Sequence, residues 1–220
     1  MLEMNATPRL RRVKHGYTRG ARSLAGRSVT SLARTGVTPN VLTATGVSLC
    51  LAAAVLVPFE EHGKLLVFWL AAGIFVVGSL LDILDGALAR VGGKSTPFGA
   101  FIDSTTDRVG EGAMLAAIAL VFSRHGRDWA VVVAVAAVVG SFLVSYTRAR
   151  AEALGLRGDV GLGSRAERVV LITAGLVFAP WGGLPWAIVA LAATAWLTVV
   201  QRILHVRKQL SGGTSGIDQR

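Results

Sequence analysis

In this chain of 220 residues, the string Asp82-x-x-Asp85-Gly86-x-x-Ala89-Arg90 is followed after eight residues by Gly99-x-x-x-Asp103-x-x-x-Asp107. It sets four carboxylates on two otherwise apolar stretches. Spacings of three and four residues bring Asp82 beside Asp85, and Asp103 beside Asp107, on one face of each helix. An ionised Asp at the centre of a spanning helix costs roughly 2.5 to 3.5 kcal/mol on insertion scales, so four together call for compensating positive charge. Without it they repel one another and take up protons. Two divalent ions balance four negative charges. Ligation by carboxylate oxygen alone, with no His or Cys, favours Mg²⁺ or Mn²⁺ over Zn²⁺. Gly86, Ala89 and Gly99 remove bulk where a ligand would approach, and Arg90 adds a phosphate-seeking guanidinium. Intramembrane acids taken by themselves also suit ion movement, so a carboxylate-gated cation transporter stands as the alternative of a different class.

The elements that must position these acids are apolar helices. Apolar residues make up 52% of the chain and charged residues only 16%, which is the composition of a polytopic membrane protein. Six stretches approach the length of about 20 residues that a span needs, at 40–58, 65–89, 98–122, 129–148, 168–183 and 185–205. The fifth is short, because Pro180-Trp181-Gly182-Gly183-Leu184-Pro185 interrupts it. The expected fold is an all-α integral membrane protein of six transmembrane helices, preceded by an N-terminal juxtamembrane amphipathic helix. Its parts are a basic cytoplasmic segment over 1–39, a six-span domain over 40–210 and a flexible tail over 211–220.

Charge sets the orientation. The first 39 residues carry eight basic side chains against Glu3 alone, and the 147–168 connection carries five. By the positive-inside rule these regions, both termini and the acidic cluster face the cytoplasm, as in a multi-pass protein of the inner (plasma) membrane. The link Val91 to Pro97 folds the second and third spans back antiparallel, so that all four acids converge just inside the inner surface. Residues 8–35 interleave cations with Leu10, Val13, Tyr17, Leu24, Val29 and Leu32, which suits a helix in the headgroup plane. Gly16, Gly20 and Gly26 keep a disordered basic tail open as the other reading. The net charge of +10 lies between and beyond the apolar runs. It therefore points to anionic membrane lipids and phosphorylated substrates, and away from nucleic acid. Cys50 lies in an apolar run as a packing residue. His15, His62, His125 and His205 show no metal-ligand spacing, and Trp69, Trp181, Trp186 and Trp196 suit membrane-interface or lipid-facing positions.

The eight fixed positions over 26 residues resemble the signature of the CDP-alcohol phosphatidyltransferases, with every named position present. The resemblance implies a six-span, dimeric membrane enzyme that moves a phosphatidyl or related group from a CDP-linked lipid to an alcohol and releases CMP. It implies two metal ions, Mg²⁺ or Mn²⁺, held by Asp82, Asp85, Asp103 and Asp107, with Asp107 also the general base. It also implies CDP-lipid contacts from Gly86, Arg90 and Thr96 and from Pro39, Asn40, Val41, Leu42 and Thr43. Thr38 before Pro39 equally suits an N-cap with Pro at N1, so helix initiation is a second role for that segment.

Downstream, the cations around Ser145-Tyr146-Thr147-Arg148 and Arg165-Ala166-Glu167-Arg168, with Arg202, form a pattern that resembles the actinobacterial phosphatidylinositol phosphate synthases of that family. That likeness implies CDP-diacylglycerol as donor, inositol 1-phosphate as acceptor, and Ser145, Arg148, Arg168 and Arg202 as ligands of the acceptor phosphate. Paired arginine hydrogen bonds suit a phosphate, though the same residues also serve to fix topology. Another phosphorylated polyol is possible chemistry for such a pocket, and phosphatidylglycerol phosphate synthesis from glycerol 3-phosphate is the sister alternative.

Overall fold

A computed structural model describes residues 38–91, 96–161 and 163–214. The amphipathic helix expected over 8–35 lies outside the described residues, as do the final residues of the tail. Six α-helices make up the described chain: α1 Pro39–Leu56, α2 Lys64–Val91, α3 Pro97–Arg124, α4 Asp128–Ala153, α5 Arg165–Val177 and α6 Leu184–Thr214. Short 3-10 turns at Val57–His62 and Ala179–Trp181 link α1 to α2 and α5 to α6. The all-α expectation holds among these residues.

Among the described residues, four segments are long and apolar enough to cross a membrane: Asn40–His62, Lys64–Leu88, Asp128–Ala153 and Leu184–Ser211. The two other expected spans fall short for separate reasons. Helix α3 has the length, but Asp103, Asp107, Arg108 and Glu111 lie between its start and its middle and lower its hydropathy. Helix α5 has 13 residues, about 20 Å at 1.5 Å per residue, against a hydrocarbon core of about 30 Å. The Pro-Gly turn that ends it was legible in the sequence.

Local chemistry sets the helix starts nearest the acids. Thr96 caps α3, its hydroxyl accepting from the Gly99 N–H at 3.0 Å, with Pro97 in the first turn. Thr38 caps α1 through its carbonyl, which accepts from the Val41 N–H at 3.1 Å, and Pro39 follows it. Ser164 opens α5 in a capping box, its N–H donating to Glu167 at 2.7 Å.

Helix α1 packs against both α2 and α3, which barely touch each other. Apolar burial gives little drive for this inside a membrane, where close van der Waals contact between small residues takes its place. Gly46 of α1 and Gly78 of α2 meet backbone to backbone: a Cβ on Gly78 would lie 2.7 Å from the Gly46 carbonyl oxygen and 2.8 Å from Cys50 Sγ. Cys50 is thus a packing residue between helices, as expected. Below this contact the core runs through Phe75, Met114, Leu115, Ile118, Ile172, Ile188 and Leu191.

The two ends of the bundle differ in chemistry. At the end remote from the aspartates, Trp69 pairs with Trp181 and Trp129 with Trp186, at ring-centre distances of 6.4 and 6.1 Å. Such aromatic pairs match the belt that membrane proteins place at an interface. His125 there contacts the buried Glu60, and Arg124 donates to the Pro58 carbonyl at 2.6 Å. At the other end lie the end of α2, the starts of α1, α3 and α5, and the link from α4 to α5.

Candidate active site

The acids converge because α2 ends and α3 begins on either side of α1. Carboxylate oxygens of Asp82, Asp85 and Asp103 lie within 4.8 Å of one another. Asp82 and Asp85 are only 6% and 2% exposed, so these charges are removed from water and need partners. Asp107 stands one turn beyond Asp103 on α3, and Glu111 one turn beyond that. Asp85 accepts a hydrogen bond from Thr43 of α1. Its oxygen-only donor set is what a hard divalent cation requires, and three such side chains sharing one small volume fit Mg²⁺ or Mn²⁺.

Arg165, the first residue of α5, supplies positive charge to this cluster. Its guanidinium pairs with Asp82, and its Nη2 lies 2.6 Å from Asp107 Oδ1. Asp107 Oδ1 makes no hydrogen bond of good geometry, so this second contact is an ion pair without alignment. The sequence showed Arg165 only as one cation in a run. Its partner Asp82 is 83 residues away in the chain, and only the packing of α5 on α2 brings them together.

A second ion pair lies directly beneath. Arg168 meets Glu111 with both Nε and Nη2, at 2.7 and 2.9 Å, and its Nη1 donates to the Gly163 carbonyl at 2.8 Å. Glu111 and Arg168 are 6% and 4% exposed. Glu111 was not singled out by the sequence pattern, although its spacing of four from Asp107 continues the acidic face.

The residues expected at the CDP-lipid divide into three groups. Thr43 and Gly86 stand beside Asp85, and Leu42 packs with Leu88, which brings the start of α1 against the last turns of α2. Asn40 and Val41 are exposed at that start, Pro39 occupies the first turn, and Thr96 is engaged as the α3 cap. The Arg90 side chain lies outside the described residues.

Of the residues expected at an acceptor phosphate, Arg148, Arg168 and Arg202 border the link between α4 and α5. Arg202 of α6 donates through Nε to the Val160 carbonyl at 2.9 Å and also bonds the Val144 carbonyl. Arg168 holds the Gly163 carbonyl, and the Gly163 N–H donates to Thr198 at 2.8 Å. Arg148 pairs with Glu152 at 2.9 Å in the open, while Gly158 lies tight against the Arg148 backbone. Ser145 is half-buried on α4. Gly161 is required where it is, because its φ of +113° disfavours a side chain and an added Cβ would collide with Thr198. Two arginines, Arg168 and Arg202, and two glycines packed on Thr198 therefore hold this link against α5 and α6.

The CDP-alcohol phosphatidyltransferase pattern matches residues 36–204, which contain the whole constellation. The chain belongs to the CDP-alcohol phosphatidyltransferase family. Among its relatives in that family, the phosphatidylinositol phosphate synthase of Mycolicibacterium smegmatis is 40% identical over 200 residues, covering 86% of this chain and 87% of the relative. The archaetidylinositol phosphate synthase of Pyrococcus horikoshii is 36% identical over 184 residues, covering 83% and 90%. Solved structures of the Mycobacterium tuberculosis phosphatidylinositol phosphate synthase share the fold. The one with CDP-DAG bound gives a TM-score of 0.73 at 33% identity, covering 84% of this chain and 94% of the other. The one in complex with manganese and citrate gives 0.72 at 33% identity, covering 83% and 88%. This family member is accordingly a membrane-embedded phosphatidyltransferase, and its acidic cluster is the part of the fold suited to a divalent metal.

Proposed function

We propose that this transferase joins the phosphatidyl group of CDP-diacylglycerol to inositol 1-phosphate, giving phosphatidylinositol phosphate and CMP. The convergence of Asp82, Asp85 and Asp103 beside Asp107 is the observation that carries the reading. Its relatives at 40% and 36% identity are named for inositol phosphate lipids, which supports the acceptor assignment. In the proposed site two ions, Mg²⁺ or Mn²⁺, are held by Asp82, Asp85, Asp103 and Asp107, and when bound they polarise the phosphoryl oxygens and stabilise the leaving CMP. Asp107 takes the proton of the acceptor hydroxyl as that oxygen bonds to the lipid-side phosphorus, and the bond from that phosphorus to CMP breaks. Asp107 suits this role because its side chain is 20% exposed, against 6% for Asp82, which leaves it open to an incoming hydroxyl.

Pro39, Asn40, Val41, Leu42 and Thr43, with Gly86, Arg90 and Thr96, form the CDP side of the proposed pocket. Ser145, Arg148, Arg168 and Arg202 form the acceptor side. Arg168 and Arg202 are partly spent on the α4–α5 link, so each would offer only its remaining N–H groups to a phosphate. The proposed domain covers 40–210 with six helices in the inner membrane, α3 and the short α5 enclosed by the other four, both termini and the site cytoplasmic, and two copies forming a homodimer. Residues 1–39 serve as its basic juxtamembrane segment and 211–220 as its tail.

Purified full-length protein in detergent with Mg²⁺ and CDP-diacylglycerol tests the reading. Release of CMP is expected only when inositol phosphate is added. Brisk release with glycerol 3-phosphate and none with inositol phosphate would transfer the assignment to phosphatidylglycerol phosphate synthesis. Metal flux into proteoliposomes lacking any CDP-lipid, with no CMP formed under any condition, would favour a cation transporter.

A further inference from the structure

Away from the acidic cluster, the last turns of α4 and α6 leave between them an open groove of about 360 Å³. Its walls are apolar. Leu154, Ile203 and Leu210 are 52%, 55% and 55% exposed and line it together with Val206. Arg150 and Arg207 stand exposed on either side, Arg202 closes the back, and among the described residues no acidic side chain lines it. Among the described residues neither Arg150 nor Arg207 enters an ion pair, while the nearby Glu152 is taken by Arg148. Helix C-termini and topology account for cations at these positions, but not for a half-exposed apolar channel running between two of them.

We propose that this groove binds an anionic glycerophospholipid, with its phosphate at Arg150 and Arg207 and one acyl chain along Leu154, Ile203 and Leu210. Both halves of such a lipid find their complement here. The channel takes the chain, and two unneutralised guanidinium groups take the phosphate by charge-assisted hydrogen bonds. Charge also argues against other occupants. A second copy of this chain carries net charge +10, and its first 37 residues hold eight basic side chains against Glu3 alone. Either would bring like charge to the arginines. The site is distinct from the acidic cluster, but the chain connects the two: Arg202 lines the groove and also holds Val160 of the link that leads to Arg165, the partner of Asp82.

Native mass spectrometry of the full-length protein, released from micelles containing equal phosphatidylglycerol and phosphatidylcholine, reads this binding without any turnover. Failure of the catalytic reading therefore leaves the result intact. The wild type is expected to retain phosphatidylglycerol over phosphatidylcholine, whose phosphate is offset by choline. Arg150→Ala with Arg207→Ala is expected to weaken that retention about thirtyfold, the effect of removing two cations from the headgroup layer. Arg150→Lys with Arg207→Lys is expected to keep most of it, which separates loss of charge from loss of fold. Equal retention of both lipids by the wild type, or undiminished retention in the Ala variant, would overturn the proposal. So would a fall in oligomer mass in the Ala variant with lipid retention unchanged, which would give the groove to a second copy.

Discussion

Replacing Glu111 by Gln removes the negative charge from a pair whose members are 6% and 4% exposed, and leaves the Arg168 guanidinium buried without its counter-charge. Breaking a buried pair by removing one partner costs about 3 to 5 kcal/mol, because the remaining charge stays desolvated. The geometry places each substitution within that range. Glutamate now accepts two parallel bonds at 2.7 and 2.9 Å. Glutamine keeps one carbonyl oxygen but turns its NH₂ toward a donor, so the expected loss is about 3 kcal/mol. Alanine forfeits both bonds and opens a cavity, and about 5 kcal/mol is expected. Glu111→Leu combined with Arg168→Met removes both desolvated charges, and should return to within about 1 kcal/mol of the wild type. Equilibrium unfolding in mixed micelles of the wild type, Glu111→Leu, Arg168→Met and their double variant gives the cycle, with an expected coupling of about 2 kcal/mol or more. Single variants that lose less than about 0.5 kcal/mol, or a double variant equal to the sum of the singles, would refute the reasoning that this pair anchors α5 to α3.

Three further outcomes are expected. Asp107→Asn should abolish CMP formation while leaving the unfolding midpoint within a few degrees, since Asn fills the same space; CMP release and a thermal melt on one preparation check both. Arg165→Met removes a cation that competes for the oxygens of Asp82 and Asp107, so Mn²⁺ should bind about three- to tenfold more tightly, read by electron paramagnetic resonance titration. Gly78→Ala should cost about 1 to 3 kcal/mol, because its methyl group would meet the Gly46 carbonyl at 2.7 Å and backbone does not yield. A melting temperature in detergent indistinguishable from wild type would show that α1 and α2 can part without penalty.

The acidic cluster was legible in the sequence because its information is local. Intervals of three and four residues on apolar helices dictate which side chains share a face, and the two helices that carry them follow one another closely in the chain. Arg165 and Glu111 were not legible as partners of Asp82 and Arg168, since each pair is made by helices that meet only after folding, 83 and 57 residues apart. Thr43 was expected near the nucleotide, but its bond to Asp85 depends on how deeply α1 sits between α2 and α3, which Gly46 and Gly78 permit and no periodicity reports. Hydropathy located four apolar helices well. It described α3 and α5 less well, because the first carries the site's own charges and the second is kept short by the turn at Ala179–Trp181. The segments named for the acceptor were read from cations in a row, whereas in the fold much of their hydrogen bonding is directed to the α4–α5 link.

Diffraction from crystals grown with Mn²⁺ and CDP-diacylglycerol, collected at the manganese absorption edge, tests the central claim most directly. Two anomalous peaks are expected, both within bonding distance of Asp82 and Asp103, with Asp85 on one, Asp107 on the other and the lipid diphosphate between them. No peak among these four carboxylates, or a diphosphate bound elsewhere in the bundle, would contradict it.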